Sequence, residues 1–346
     1  MRRGIVVGIA GVLLAALSAA PAWACAGLVG ANGAVNLVRT STLAAYRNGV
    51  EHYVTSFEFA GGGAKFGSIV PLPGVPTRVI KGGDWTLQRL AQETQPQRRF
   101  FALEATSANA AAPSAKVIME KRIDALQITI LTGGGFAVGR WAEKEGFNLS
   151  PDAPEVLDFY AHRSPVFMAA RYDPSEAAER GFGIGDGTPV HLVIPTPNPW
   201  VPLRILGLGK QASEVIEADV YLLTPNRPSL LPTPSRDSGL LLEASRPATT
   251  DLLRDLRSDR GMKWLPEEDM WLSYLRVNST AGKLTHDLAI DASGFGNPSP
   301  VAAGLRLPDI GELVPDSGTQ PWAWMVAALV AVGGLALANR TVSARR

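Results

Sequence analysis

Residues 35–60, VNLVRTSTLAAYRNGVEHYVTSFEFA, carry the clearest folding signal in the chain. An apolar run leads to Asn48 and Gly49, the preferred pair for a type I′ turn between two antiparallel strands. From Tyr53 to Phe59, aromatic residues and threonine alternate with valine, serine and glutamate. This period of two is typical of a half-buried strand. The stretch therefore predicts a β-hairpin.

Outward from the hairpin, short strands and short helices intermix without the regular spacing of strand-helix-strand units. This order predicts an α+β fold with mainly antiparallel β-sheet and several short helices, rather than a doubly wound parallel sheet. The further predicted strands are 65–71, 98–106, 116–122, 126–131, 166–172, 190–195, 201–208, 215–223, 270–278 and 284–291. The predicted helices are 84–95, 136–145, one that begins near residue 151, and 250–257.

Both ends of the chain carry long apolar segments. Arg2 and Arg3 precede an apolar run and a small-residue segment that ends at Ala24, which is the order of a secretory signal peptide. Residues 321–338 are uncharged and Arg340 follows them, as in a stop-transfer helix. We therefore expect a single-pass protein of the cell membrane, with its N-terminal part outside and its C-terminus in the cytoplasm.

These observations give a predicted layout of seven segments. Prolines and glycines mark the connections, and the most proline-rich connection follows the main domain. The segments are a signal peptide (1–24), a main β-rich extracytoplasmic domain (25–223), a Pro-rich connection (224–237), a smaller α+β segment that packs on the main domain (238–292), a stalk (293–320), a transmembrane helix (321–338) and a cytoplasmic tail (339–346).

The charge balance argues against a nucleic-acid partner. Five of the 33 basic residues lie in the predicted signal peptide and tail, which leaves 28 against 32 acidic residues and a net charge near −4 outside. Nucleic-acid binding draws much of its affinity from a basic excess. The expected partners are therefore the membrane itself and an envelope protein or glycan.

Cys25 is the single cysteine, so no intramolecular disulfide can form. It would become the mature N-terminal residue, which leaves two alternatives, ordinary cleavage and attachment of a lipid. The preceding residues, Ala22, Trp23 and Ala24, lack the leucine-type residue that usually stands three positions before a lipidated cysteine. They favour ordinary cleavage.

Three segments make the chain similar to a known family: SIVPLPGVP at 68–76, QITILTGGGFAVGRWAEKEGFNL at 127–149 and DFYAHRSPVFMAARYDP at 158–174. They resemble domain-of-unknown-function family 2330, whose members are exported or membrane-anchored bacterial proteins. The resemblance covers about residues 25–223. The family has no established activity, so the resemblance implies no catalytic, cofactor-binding or metal-binding residues. The matching positions, interpreted as packing residues, are Trp141, Asn148, Tyr160 and Phe167.

The four histidines, His52, His162, His191 and His286, do not have the spacing of a zinc motif. Three of them, all except His162, fall in predicted strands. We interpret them as ordinary strand residues and predict no metal site.

Other patterns associated with chemistry are weak. The external part contains neither the G-x-S-x-G nor the S-x-x-K motif of serine enzymes. Ser114 and Lys116 adjoin a featureless loop, and GFGIGDG at 181–187 lacks the Lys-Ser/Thr of a phosphate loop. The acidic run at 267–269 is interpreted as a solvated edge. The five external tryptophans, interpreted as core residues, are Trp85, Trp141, Trp200, Trp264 and Trp271.

The sequence therefore predicts a non-enzymatic binding or structural module of the cell envelope, without a cofactor. The alternative is an envelope hydrolase whose catalytic residues converge only in three dimensions. A pocket with a serine-histidine-acid set or two carboxylates at working distance favours the hydrolase. An exposed apolar surface without such a set favours binding.

Overall fold

A computed structural model describes most of the predicted external part of the chain. The described residues are 27–30, 36–60, 66–94, 115–147, 149–179 and 188–307. The predicted signal peptide (1–24), the predicted strand over 98–106 and the predicted membrane helix and tail (321–346) lie outside them. None of the helices within the described ranges combines the length and apolar composition that a bilayer span requires.

Strands dominate these residues, and five short helices and one 3-10 turn lie between them. The strands are β1 (Gly27–Gly30), β2 (Asn36–Arg47), β3 (Val50–Ala60), β4 (Phe66–Pro71), β5 (Arg78–Lys81), β6 (Lys116–Ile123), β7 (Leu126–Thr132), β8 (Val166–Tyr172), β9 (Val190–Pro195), β10 (Trp200–Val201), β11 (Val215–Thr224), β12 (Ser229–Leu231), β13 (Leu240–Pro247), β14 (Trp271–Thr280) and β15 (Leu288–Asp291). The helices are α1 (Thr86–Thr94), α2 (Gly135–Lys144), α3 (Ala153–Ala161), α4 (Pro174–Glu179) and α5 (Thr250–Ser258), and the 3-10 turn is Arg204–Gly207.

The predicted hairpin is confirmed as β2 and β3. Its register places Arg47 opposite Val50, so the connection has two residues. Asn48 and Gly49 have φ values of 53° and 77°, the left-handed conformation that a type I′ turn requires at both positions. The turn therefore fixes the register of the two longest strands.

Three sheets organise the fold. A seven-stranded sheet has the order β13-β14-β11-β2-β3-β9-β5, a five-stranded sheet has the order β1-β4-β8-β7-β6, and a small sheet has the order β10-β15-β12. Among the described strands, the pair β2–β11 is parallel and the other pairs are antiparallel. The prediction of an α+β fold with mainly antiparallel sheet is confirmed.

The seven-stranded sheet is buried on both faces. Ala44 and Tyr53 belong to a large core shared with the five-stranded sheet and with α2 and α3. Leu43 and Val54, on the opposite face, belong to a second core that includes Leu252 of α5. Successive side chains of a strand point to opposite faces, so an apolar run such as that of β2 supplies both cores.

The strand predicted over 201–208 is wrong beyond its first residue, because a 3-10 turn begins at Arg204. Pro202 has no backbone N–H for a strand ladder. The N–H groups of Leu203 and Arg204 donate instead to a carboxylate oxygen of Asp287, at 2.6 and 2.9 Å. The Asp287 side chain thus accepts the backbone hydrogen bonds that a neighbouring strand would accept if this segment were a strand.

The strand predicted over 284–291 is confirmed only from Leu288 onward. The N–H of Leu284 donates to the carbonyl of Thr280 at 3.1 Å, so the chain is still in a turn there. His286 therefore lies in the loop before β15. Five further elements were not predicted from the sequence, and each is short or lies at a sheet edge: β1, β5, β12, β13 and α4.

Segments that the sequence analysis treats separately belong to one folded body, which includes the described residues up to Arg306. Segment 238–292 adds β13 and β14 to the seven-stranded sheet, and β12, within 224–237, pairs with β15. In the segment predicted as a stalk, Ala303 is fully buried and its carbonyl accepts a hydrogen bond from the Asp287 N–H at 3.0 Å. The folded body therefore continues past residue 292.

Asp287 joins three parts of this body through its buried side chain. One carboxylate oxygen accepts hydrogen bonds from the 3-10 turn and from the Tyr160 hydroxyl, the latter at 2.8 Å. The other oxygen pairs with Arg163, whose side chain is 4% exposed. The Tyr160 oxygen also accepts from the N–H of Ile205 at 2.8 Å. Asp287 and Tyr160 thus have their hydrogen bonds, which is the condition under which a buried ion pair is tolerated, while Arg163 Nε is buried without a hydrogen-bond partner among the described residues.

We expect Asp287→Ala to lower the free energy of unfolding by about 3–5 kcal/mol, because it leaves the buried Arg163 charge without a partner. Urea unfolding measures this change. Glu267→Ala is the matched control, since Glu267 is 77% exposed and pairs with Arg257 at the surface; its loss should cost less than about 1 kcal/mol. Equal losses in the two variants would contradict the role assigned to Asp287.

Glu51 is the opposite case, a buried carboxyl group without compensation. It lies on β3, is 0% exposed, and neither oxygen forms a hydrogen bond of normal distance and angle within the described residues. Burial raises the pKa of Glu51 to about 8, although the backbone N–H of Trp200 favours the charged form. The folded protein therefore keeps this group protonated at neutral pH.

Because the folded pKa of Glu51 is raised, its contribution to stability is fully present at acidic pH and is lost as the pH rises toward 8. The unfolded chain ionises first, which costs up to about 1.4 kcal/mol per pH unit in this window. We expect the free energy of unfolding of Glu51→Gln to equal that of the wild type near pH 4.5. Between pH 4.5 and pH 8 it should become progressively larger than that of the wild type. Urea unfolding across this range checks the difference, and a constant offset would contradict it.

Candidate functional site

The register of the seven-stranded sheet brings two histidines together. β3 and β9 pair so that His52 faces Val193 and His191 faces Val54, which puts both imidazoles on one face of the sheet. On the next strand, Arg78 of β5 also faces Val193. A cation and two imidazoles that are far apart in sequence thus share one surface at the sheet edge.

The chain segment after α5 forms a wall over this surface. Trp264 stacks on His52, with ring centroids 3.5 Å apart and an angle of 8° between the planes. Gly261 lies against His191 and has φ +76°, a conformation that side chains other than glycine rarely adopt. The glycine lets the segment turn over the imidazole pair at close range.

Asp259 holds this wall in place. Its carboxylate accepts hydrogen bonds from the backbone N–H groups of Asp84 and Trp85 at 3.0 and 3.1 Å, and from the Thr86 hydroxyl at 2.7 Å. The N–H of Arg260 adds a fourth, at 2.7 Å. The first three donors lie at the start of α1, so the Asp259 carboxylate is held in position and its oxygens are already hydrogen-bonded.

Between the sheet and the wall lies a cleft of about 450 Å³. This volume falls within the range of about 300–1,000 Å³ that small-molecule sites occupy. We call it the histidine cleft. It is lined by His52, Arg78, Ile80, His191, Val193, Ser258, Asp259, Arg260, Gly261, Lys263 and Trp264.

The two imidazoles are bonded to each other. His52 Nδ1 lies 3.0 Å from His191 Nε2, and His191 Nδ1 is buried without a hydrogen-bond partner among the described residues. Burial lowers the pKa of His52 to about 4 and that of His191 to about 3, and the charge of Arg78 acts in the same direction on both. Both rings are therefore neutral at pH 7, and one buried nitrogen is unpaired.

Positively charged side chains outnumber carboxylates in the lining of the cleft. Within the described part of the chain, Arg78 and Lys263 have no ion-pair partner, whereas Arg260 lies 3.4 Å from Asp84. Asp259 is the one carboxylate in the lining, and its oxygens already accept four hydrogen bonds. The lining therefore carries three cations against one anion that is already satisfied.

Among the described residues, the cleft shows no serine-histidine-acid set and no pair of carboxylates. No carboxylate among the described residues bonds to His52 or His191, whereas a catalytic histidine is normally oriented by one. Ser258, the serine of the lining, donates its hydroxyl to the Asp255 carbonyl at 2.7 Å. No group of three or more potential metal ligands occurs within the described ranges. A neutral, mutually bonded imidazole pair is better suited to shape a binding surface than to transfer protons.

The other sequence candidates that the structure describes lie away from this cleft. His162 is exposed, with Nδ1 2.7 Å from the Asp158 carbonyl. The acidic run at 267–269 is exposed, as predicted. Ser114 and the glycine-rich run at 181–187 lie outside the described residues.

The interpretation of the aromatic residues is mostly confirmed. Trp141, Tyr160 and Phe167 are buried in the large core, as expected for packing residues, and so is Trp200. Asn148 lies outside the described residues. The exceptions are Trp85 and Trp271, which are half-buried and belong to neither core, and Trp264, which is half-buried, packs against the second core and lines the histidine cleft.

Sequence reasoning missed the pairing of His52 with His191, because the two residues are 139 positions apart and belong to strands that become neighbours only in the folded sheet. The available signal was weak: each histidine alternates with its strand neighbours so that it shares a face with buried valine, Val54 for both. Interpreting them as ordinary strand residues was correct about the strands and wrong about their isolation.

Comparisons with known proteins give one informative match. A family model described as "Uncharacterized protein conserved in bacteria (DUF2330)" matches residues 19–233. A comparison with curated proteins gave no match. The crystal structure of baculovirus P35 is similar with a TM-score of 0.40 and 9% identity, covering 75% of this chain and 97% of that chain. A mutated baculovirus P35 after caspase cleavage, at 3.1 Å resolution, has a TM-score of 0.37 and 8% identity, with 75% and 99% covered. These TM-scores are too low to carry an inference.

We expect acidification from pH 7 to pH 5 to destabilise the protein through His52 and His191. Their folded pKa values are lowered, so the unfolded chain takes up protons first, near pH 6.5, and this contribution to stability is lost as the pH falls. His191→Gln should reduce the slope of the free energy of unfolding against pH by up to about 1.4 kcal/mol per pH unit. Urea unfolding measures the slope. Ring-proton NMR shifts of either histidine that titrate between pH 7 and 5.5 would contradict the assignment.

Proposed function

Because the chain belongs to the bacterial family DUF2330, whose description names no activity, we propose its function from the geometry of the histidine cleft. The protein is a binding module of the cell envelope that holds a small ligand between the edge of its seven-stranded sheet and the segment after α5. The single observation that carries this proposal is a cleft of about 450 Å³ whose two histidines bond to each other and to no acid or nucleophile among the described residues.

The chemistry of the cleft supports binding over hydrolysis. A general base works best when its pKa lies near the operating pH, and the lowered pKa values of His52 and His191 are far from neutral. A buried polar atom without a partner, such as His191 Nδ1, is costly in the empty protein. The wall is held by Asp259, so the cleft is preformed, which lowers the ordering cost of binding.

The proposed location follows from the two ends of the chain. The predicted signal peptide at 1–24 and the predicted stop-transfer helix at 321–338 support a location of the folded body outside the cytoplasmic membrane. This location gives the cleft access to envelope components. The ligand is then a molecule of the envelope or of the surrounding medium.

The test is native mass spectrometry of the full chain, purified from membranes washed with carbonate, which a membrane anchor should resist. We expect the wild type to carry a bound small molecule and Val193→Phe to lack it, because the larger ring fills the floor of the cleft. Val75→Phe is the matched control, since Val75 is 46% exposed and does not line the cleft.

Two results would count against the proposal. A wild type without any bound molecule argues against binding. Turnover of p-nitrophenyl acetate or p-nitrophenyl phosphate that is abolished by His52→Ala favours the hydrolase instead. If the carbonate wash releases the protein from the membranes, the proposed membrane anchor is wrong. The proposal of a ligand-binding cleft is not affected by that result.

A further inference from the structure

We propose that the ligand of the histidine cleft is a small organic anion with an apolar, preferably aromatic, body. The anionic group, a carboxylate or a phosphate, faces Arg78 and Lys263, and the body lies on the floor of the cleft against Trp264. This inference rests on the proposed binding function and names its ligand class.

The floor of the cleft is suited to an apolar body. Ile80 of β5 and Val193 of β9 lie on the same face of the sheet, and the Trp264 ring stands beside them. Both imidazoles of the pair are neutral, so they add no charge beside this floor. Burial of apolar area contributes about 25 cal/mol per Å², so a ring system gains most from this surface.

The rim of the cleft is suited to an anion. Arg78 and Lys263 have no ion-pair partner within the described ranges, and Arg260 adds a third cation. An arginine fork matches the two oxygens of a carboxylate or phosphate. These cations stand in an external part whose overall charge is near −4, so they form a local positive region on an acidic protein.

The same residues disfavour other ligands. A cationic ligand needs a carboxylate that is free to pair, but the oxygens of Asp259 already accept hydrogen bonds from α1 and from Arg260. A carbohydrate needs several polar acceptors beside its stacking ring, and the floor supplies Ile80 and Val193 instead. A long polyanion is opposed by the acidic external surface.

Isothermal titration calorimetry on the full chain in detergent tests the inference with 2-naphthoate and 2-naphthyl phosphate as probes. The neutral analogue 2-naphthamide has the same ring system without the charge. We expect at least one anion to bind, and 2-naphthamide to bind at least about tenfold more weakly, the effect of losing charge-assisted hydrogen bonds. Comparison of the two anions identifies the preferred group. Titration of Val193→Phe in the same detergent measures the heat from partition of the probes into micelles, and this heat is subtracted.

The double variant Arg78→Gln, Lys263→Gln should weaken the anions at least about tenfold and leave 2-naphthamide unchanged. The matched control is Arg254→Gln, Lys283→Gln, which removes the same charge from residues that do not line the cleft. We expect the control to change anion affinity less than about twofold, since charges beyond a Debye length are screened.

Two outcomes overturn the inference. Equal binding of 2-naphthamide and the anions, unaffected by the double variant, means that the cleft binds its ligand without reading charge; the binding function then stands. No binding of any probe to a wild type that carries a ligand removed by Val193→Phe also overturns the ligand class and not the function. Failure of both measurements rejects the binding function itself.

Discussion

The antiparallel register between β3 and β9 is the constraint on which the rest of the structure depends. A shift of one residue would turn every side chain of β3 to the other face. His52 would then enter the large core, and Glu51 would move to the cleft. The two-residue turn at Asn48 and Gly49 opposes this shift, because it fixes the register of β3 against β2, and β9 pairs with the other edge of β3. The geometry of one hairpin thus decides where the imidazole pair lies.

Three carboxyl groups show how the fold treats buried acids. Asp287 is fully satisfied by Arg163, Tyr160 and backbone donors, and it connects α3, the 3-10 turn and β15. Asp259 is satisfied by donors at the start of α1 and holds the wall of the cleft. Glu51 forms no hydrogen bond of normal distance and angle among the described residues and stays protonated. The first two groups order the chain, and the third opposes stability at alkaline pH.

The histidine cleft lies where the second core ends. The helices α1 and α5 cover the middle of the seven-stranded sheet, and the β9–β5 edge extends beyond them. The segment after α5 bends over this edge and leaves space above Val193. An apolar floor, a stacked tryptophan and a cationic rim thus arise from incomplete coverage of a sheet that is otherwise buried on both faces.

The sequence by itself determined the hairpin, the α+β class, most strand positions and the family, because these features depend on local turn chemistry, on side-chain alternation and on recognisable motifs. The prediction failed at 201–208. There the backbone N–H groups of Leu203 and Arg204 donate to the carboxylate of Asp287, which is more than 80 positions away in the chain. Only the tertiary structure paired His52 with His191 and placed Trp264 over them. The physical reason is that strand order and the path of a loop over a sheet edge are set by packing between distant segments, which leaves no periodic trace in the chain.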